Sequence, residues 1–121
     1  MSGAAEPSFD LSLVHLQDQP QFSPEAGLKR RILTNNEKMM LVEHHMEEGW
    51  AGARHSHPHE QMVYIITGHL KFSCGDTTFE VRAGDSFIVP GGAEHQAWAL
   101  APSSVLDIFT PTRADYLPRD T

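Results

Sequence analysis

The chain has 121 residues, which fits a single domain, and its 40% hydrophobic and 21% charged residues are ordinary proportions for a soluble globular protein. A formal charge of −7 argues against a nucleic-acid partner, because phosphate neutralisation needs a basic surface. The single cysteine excludes an internal disulfide, and no apolar run approaches the ~20 residues of a membrane span. The first ten residues also lack the basic and apolar regions of a signal peptide, so we expect a cytoplasmic protein with no membrane partner.

Residues 1–27 differ in composition from the rest of the chain. They contain several prolines and one short apolar alternation, from Phe9 to Val14, which predicts a single strand at most. The proline-containing stretch that follows is interpreted as a connector. We therefore predict an N-terminal arm over residues 1–27 that docks on another surface, such as a partner subunit, and one domain with a C-terminal tail over residues 28–121.

Residues 28–112 carry short strand patterns separated by turn residues. Glycine and aspartate at the breaks, as in Gly75-Asp76 and Gly84-Asp85, are typical of tight turns between antiparallel strands. A helix over Glu37–His45 is the only rival pattern, and its apolar run suits a buried strand equally well. The predicted strands are Leu28–Leu33, Met39–Met46, Gln61–Thr67, Leu70–Ser73, Thr78–Val81, Ser86–Val89, His95–Leu100 and Val105–Phe109. This spacing predicts an all-β sandwich or barrel.

The predicted strand Gln61–Thr67 is apolar on both faces after its first residue. A strand with one face in water would alternate apolar and polar residues, so both of its faces are expected to be covered. A homodimer is the simpler explanation, because two-fold association is the commonest assembly of identical chains. The alternative is that the N-terminal arm covers the second face within one chain.

Histidines are concentrated in the middle of the chain. His55 and His57 have the alternate spacing that places side chains on one face of an extended strand, and Gln61 shares their parity. A bulge at Pro58 would reverse that parity and favour Glu60, so positions 60 and 61 both stay open as a ligand. Convergent imidazoles are what a divalent ion requires, and the sequence therefore predicts one such ion, of Zn, Ni, Fe, Mn or Cu.

The remaining histidines carry a weaker signal. His59 follows Pro58 and is interpreted as a surface residue, although a ligand or a donor to a ligand is also compatible with its position. The others are interpreted as ordinary solvent-exposed or strand histidines: His15, His44, His45 and His69.

An ionisable residue, Asp107, interrupts the apolar strand Val105–Phe109. An unpaired buried carboxylate is costly, so Asp107 is expected to face a wet cavity or a cationic partner. Val105, Asp107 and Phe109 share one face of the strand, and Arg113 follows just beyond Pro111. Two alternatives stay open here: these groups line a pocket, or Asp107 and Arg113 form a structural ion pair at the rim of the fold.

Two separated stretches resemble the cupin motifs. The first runs from Gly49 through His55, His57 and Gln61 to Gly68, and the second runs from Gly84 through the Pro90-Gly91-Gly92 turn to His95. The resemblance implies a jelly-roll barrel, the cupin double-stranded β-helix, and a metal held by His55, His57, Gln61 and His95. Two positions depart from the usual pattern, because Gln61 stands where most cupins have glutamate and Ala99 where many have asparagine. An amide ligand leaves the full positive charge on the ion.

The stretch from Asp107 to Arg113 resembles the end of the KdgF-type cupins, which linearise uronates in pectin and alginate breakdown. That resemblance implies that Asp107, Phe109 and Arg113 line the site, and that the substrate is a cyclic 4,5-unsaturated monouronate, a carboxylate. A metal-dependent dioxygenase is the first alternative, and a non-catalytic module that binds a metal or a metabolite is the second.

Overall fold

The computed structural model describes residues 9–118. Within this range the chain forms nine strands and two short 3₁₀ helices, Leu16–Asp18 and Ala114–Tyr116. The strands are β1 (Gln21–Glu25), β2 (Leu28–Asn35), β3 (Met40–Met46), β4 (Glu60–Thr67), β5 (His69–Cys74), β6 (Thr77–Arg82), β7 (Ser86–Val89), β8 (His95–Ala99) and β9 (Ser103–Thr110).

The strands form two antiparallel sheets. One has six strands in the order β1-β2-β3-β9-β4-β7, and the other has three in the order β6-β5-β8. Residues of β3 and β9 alternate between buried and half-buried, as expected for strands with one face toward a core. The core includes Val63 and Ile65 from the large sheet and Leu70 and Phe72 from the small one. This architecture confirms the predicted jelly-roll fold.

All eight predicted strands are present, and their ends agree with the prediction to within two residues. The arm contains one strand, but not at the expected position: Phe9–Val14 is not a strand, whereas Gln21–Glu25, in the stretch interpreted as a connector, pairs with β2. Strand β1 tolerates Pro24 because it lies at the edge of the sheet, where one side of the strand needs no hydrogen-bonding partner.

The described residues contain no helix that is long and apolar enough to cross a membrane. The segment between β3 and β4 pairs with β8 through two isolated bridges, one between Ala51 and Trp98 and one between His55 and His95. The second bridge brings the two predicted metal-binding motifs together at one end of the barrel.

Candidate metal centre

Three histidines from the two motifs converge at this end of the barrel. One ligand atom from each of His55, His57 and His95 can be chosen so that all lie within 4.8 Å of one another. His57 and His95 are buried, at 7% and 4% exposure, while His55 is exposed and marks the open side. The expected extended strand through the first motif is not present, since residues 56–59 are irregular and the chain bends at Pro58 and His59. The loop, rather than strand periodicity, therefore brings the imidazoles together.

The Pro90-Gly91-Gly92 turn fixes the position of this loop. The amide of Gly92 donates to the His57 carbonyl at 2.8 Å. A side chain at Gly91 would collide with the carbonyl oxygen of Pro58, so only glycine permits the turn to approach so closely. The glycines that make up the second motif thus hold the first motif in place.

The hydrogen bonds of the three rings define their tautomers. Each Nδ1 lies against a backbone carbonyl: that of Ala53 for His55 at 2.9 Å, that of His59 for His57 at 3.0 Å, and that of Ala93 for His95 at 2.9 Å. Because a carbonyl only accepts, each Nδ1 must carry the proton. In the neutral rings Nε2 then has a free lone pair, the arrangement found in metal-binding histidines.

Gln61 completes a set of donors suited to a cation. Its Nε2 donates to Asp107 Oδ1 at 2.8 Å, which turns its Oε1 toward His57 Nε2, 3.1 Å away. In the neutral tautomer of His57 these two atoms are both acceptors, with no proton between them. Among the described residues, the buried Nε2 atom of His95 also has no hydrogen-bond partner. Ligand atoms about 2.1 Å from one ion would lie roughly 3 Å apart, so the residues present fit a bound divalent cation.

Burial favours the neutral form of two of the imidazoles, His57 and His95. Desolvation is the largest cause that lowers the pKa of His57 below 6.5, and the positive charge of Arg113 lowers it further. Burial likewise lowers the pKa of His95, with smaller contributions from the neighbouring histidines and Arg113. Neutral rings near pH 7 are the form that binds metals.

A cavity of about 160 Å³ opens beside the histidines. Its wall includes Gln61, whose side chain is on the inner face of β4, whereas Glu60 is exposed. The two alternatives left open at positions 60 and 61 are thus separated by geometry, and Gln61 is the residue beside the ring nitrogens. Apolar side chains form the floor of the cavity: Leu28, Met46, Phe72 and Val105.

Asp107 lies in this cavity wall with Phe109. The predicted shared face of β9 is confirmed, since Val105, Asp107 and Phe109 are all buried, Asp107 at 4% exposure. Asp107 Oδ2 lies 2.6 Å from His44 Nδ1, and its Oδ1 accepts from Gln61. The carboxylate is therefore fully paired by side chains and faces the candidate metal centre.

Arg113 occupies a different position from the one expected for a rim ion pair with Asp107. Its Nε and Nη2 donate to Asp115 at 3.0 and 2.8 Å, and its guanidinium carbon lies 5.1 Å from the centroid of the Phe109 ring. Burial alone would lower the pKa of Arg113, but the hydrogen-bonded Asp115 carboxylate, with smaller contributions from Tyr116 and Asp107, raises it overall. Its buried Nη1 has no hydrogen-bond partner within residues 9–118. The guanidinium group of Arg113 thus keeps its Nη1 donors available close to the site.

The sequence interpretation missed two residues of the site and misplaced a third. His44, taken for an ordinary histidine, is 7% exposed and bonded to Asp107, and Arg30 Nε donates to His44 Nε2 at 2.9 Å. Strand parity could have found His44, because it shares the buried face of β3 with Val42. The surface interpretation of His59 was also wrong, since its ring is half-buried with Nδ1 enclosed.

Comparison with known proteins gives a consistent result. A family model described as a cupin domain matches residues 42–109. The pectin degradation protein KdgF of Dickeya dadantii is 32% identical over 93 residues, which is 75% of this chain and 84% of that protein. The structure of KdgF from Halomonas sp. superposes with a TM-score of 0.84 at 29% identity, covering 89% of this chain and 100% of the other. An RmlC-like cupin from Shewanella frigidimarina superposes with a TM-score of 0.83 at 28% identity, covering 87% and 95%.

Proposed function

The chain belongs to the cupin family, and on that premise we propose that it is a metal-dependent enzyme that opens the ring of an unsaturated uronate. Two observations support the proposal: the similarity to KdgF, a pectin degradation protein, and the position of Asp107 and Phe109 in the wall of the cavity. The substrate is a cyclic 4,5-unsaturated monouronate, and the product is the linear 4-deoxy-5-keto acid.

We propose that His55, His57, His95 and Gln61 hold one divalent ion. A bound ion of this kind supplies Lewis acidity, which stabilises negative charge that develops on a substrate oxygen. Three neutral imidazoles and an amide bring no negative charge to the ion, so its full charge is available to an anionic substrate. The donor set is compatible with Zn, Ni, Fe, Mn or Cu.

Asp107 is proposed as the general base and acid. Ring opening removes the proton from the hydroxyl on C1, forms the C1 carbonyl and breaks the bond between C1 and the ring oxygen. The electron pair that is released passes through the ring oxygen and the 4,5 double bond, and a proton is added at C4, so the reaction is an isomerisation that needs no oxidant or water. One carboxylate that accepts the first proton and returns it at C4 is sufficient.

Arg113 and Phe109 are proposed to bind and shape the substrate. The Asp115 carboxylate holds one edge of the Arg113 fork, which leaves Nη1 and one Nη2 hydrogen free to pair with the uronate carboxylate. The buried ring of Phe109 provides an apolar wall beside Asp107. The two side chains would orient C4 of the sugar toward the carboxylate.

The observation that carries the proposal is the contact between His57 Nε2 and Gln61 Oε1 beside a buried carboxylate. Its test uses the untagged protein, its bound metals measured by elemental mass spectrometry, and the decay of the unsaturated-uronate absorbance as the assay. We expect a stoichiometric divalent metal and a turnover that is lost on chelation. The variant Asp107→Asn should lower kcat by at least about 100-fold, as expected for loss of a general base.

Two other results would overturn the ring-opening proposal and identify its alternatives. Consumption of oxygen with a redox-active metal, without decay of the uronate absorbance, would indicate a dioxygenase. Saturable binding of a uronate with no turnover would indicate a binding module.

We also propose that the chain forms a homodimer through the outer face of the large sheet. Met62, Tyr64 and Ile88 on this face are 46%, 48% and 51% exposed. The described part of the arm, residues 9–27, leaves these side chains exposed within one chain, and its Phe9 and Leu11 are themselves 87% and 90% exposed. A second copy would remove both apolar surfaces from water.

A further inference from the structure

A continuous chain of polar side chains crosses the inner face of the large sheet. It begins at Arg30 on β2, passes to His44 directly opposite on β3, then to Asp107 on β9, and ends at Gln61 on β4. These four strands are neighbours in the sheet, so the chain runs diagonally across them. Only its last member, Gln61, contacts a histidine of the candidate metal centre, whereas the two ring nitrogens of His44 pair with Arg30 and Asp107.

The protonation of His44 follows from its two partners. Arg30 Nε approaches His44 Nε2 at 2.9 Å, and a guanidinium can only donate. His44 Nε2 must therefore accept, so the ring is neutral and its proton is on Nδ1. That proton points at Asp107 Oδ2, 2.6 Å away, where it forms a short bond to a charged acceptor.

This arrangement determines how Asp107 faces the centre. With Oδ2 held by His44, the other oxygen is presented to Gln61, and the amide of Gln61 must turn its nitrogen toward Asp107 and its oxygen toward His57. The contact also explains why glutamine replaces the usual glutamate, because a second carboxylate would lie against Asp107.

We propose that His44, fixed by Arg30 as the Nδ1–H tautomer, is the positioning residue of this centre. It acts through Asp107, whose carboxylate it orients for proton transfer and for alignment of the Gln61 amide. The role in proton transfer rests on the function proposed above, whereas the alignment of Gln61 does not require any substrate.

The test compares His44→Asn, His44→Phe and, as a matched control, His45→Phe on the opposite face of the same strand. Asparagine places an N–H near the position of Nδ1, whereas phenylalanine keeps the ring and removes the donor. We expect the zinc dissociation constant of His44→Phe to rise about 10-fold, the size of effect known for outer partners of metal ligands. Its kcat should fall at least about 10-fold with little change in KM, while His44→Asn and His45→Phe stay within about threefold of the parent.

Nitrogen-15 NMR of the imidazoles in the metal-free protein provides a readout without metal, substrate or mutation. We expect His44 with Nδ1 protonated and Nε2 unprotonated. The opposite tautomer, or zinc affinity in His44→Phe equal to that of His45→Phe, would overturn the proposal. Failure of the parent protein to open a uronate would contradict the proposed function alone, and the zinc and NMR results would still decide the role of His44.

Discussion

The two faces of the large sheet reverse the usual distribution of polar and apolar residues. The inner face of β3, β9 and β4 carries His44, Asp107 and Gln61 at the centre of the molecule, together with the expected aliphatic residues. The outer face of the same strands carries a row of apolar side chains that are directly opposite one another: Leu41, Ile108, Met62 and, on β7, Ile88. Burial alone would favour the opposite arrangement.

Each departure has its own physical explanation. The inner polar residues are tolerated because each is hydrogen-bonded to the next. Burying them still costs desolvation free energy that aliphatic residues would not, which is expected where a functional site uses these groups. Of the outer apolar residues, Met62 and Ile88 are exposed in a single copy of the chain, whereas Leu41 and Ile108 are half-buried. The exposed members are the ones that a second surface would cover. If one face serves chemistry and the other association, as proposed above, substitutions on the two faces should act independently.

The largest expected effect is at His95, which lies on β8 of the small sheet and lines the same cavity as Gln61 and Asp107 of the inner face. Replacing His95 by alanine removes one of three converging imidazoles and should weaken zinc binding on the order of 1,000-fold, more than the 10–100-fold known for outer partners. Isothermal titration or competition with a chelator measures the constant. The matched variant His45→Ala, on the outer face, should bind zinc as the parent does, and equal losses in both variants would contradict the separation of the two faces.

The second prediction concerns the outer face, at Met62. Substitution by lysine places a charge in the apolar row, and in a two-fold dimer each protomer contributes one such lysine to the interface. The dimer dissociation constant should therefore rise about 100-fold. Light scattering during gel filtration reports the mass. Lys71→Glu on the small sheet is the control and should leave the mass unchanged. Zinc affinity that fell along with the mass in Met62→Lys would show that the faces are coupled.

The strands and one shared face could be predicted because each depends on local pattern. Alternating burial in β9 follows directly from Val105, Asp107 and Phe109, and the turns follow from glycine and aspartate. Strand β1 could not be predicted in the same way, because Pro24 is compatible with a strand only at a sheet edge, which is a property of the assembled fold.

The site was predictable where it depended on a motif and not where it depended on register. His55 and His57 were identified by their spacing and His95 by the resemblance to the second cupin motif, although a loop and not a strand positions His57. The partnership of His44 with Asp107 requires the antiparallel pairing of β3 with β9, which no short stretch of sequence specifies. Arg30 adds one more strand, and its role is visible only after three strands are aligned.

An exchange of groups between Gln61 and Asp107 tests the polar chain of the inner face with a smaller expected effect. At pH 8, Gln61→Glu should place two carboxylates in contact and destabilise the metal-free protein by about 1–2 kcal/mol. In Asp107→Asn alone, the new amide nitrogen must face one of the two donors, His44 Nδ1 or Gln61 Nε2. This variant should therefore be destabilised by a similar amount. The double variant restores both hydrogen bonds with the groups reversed, so it should regain most of the loss in chemical unfolding experiments. Simple addition of the two single losses would mean that the residues do not interact.

The smallest expected effect concerns how the stability of the metal-free protein depends on pH through its buried imidazoles. In the folded state the pKa values of His57 and His95 are lowered, mainly by burial. In the unfolded chain these imidazoles should titrate near the ordinary histidine value of 6.5. Below pH 6.5 the unfolded chain therefore binds protons that the folded chain does not, so the free energy of unfolding should fall as the pH decreases through this range and be fully retained above it. Urea unfolding between pH 8 and 5.5 measures the slope. His57→Asn keeps the donor to the His59 carbonyl but does not titrate, so it should reduce the slope, and an unchanged slope would show that His57 does not contribute.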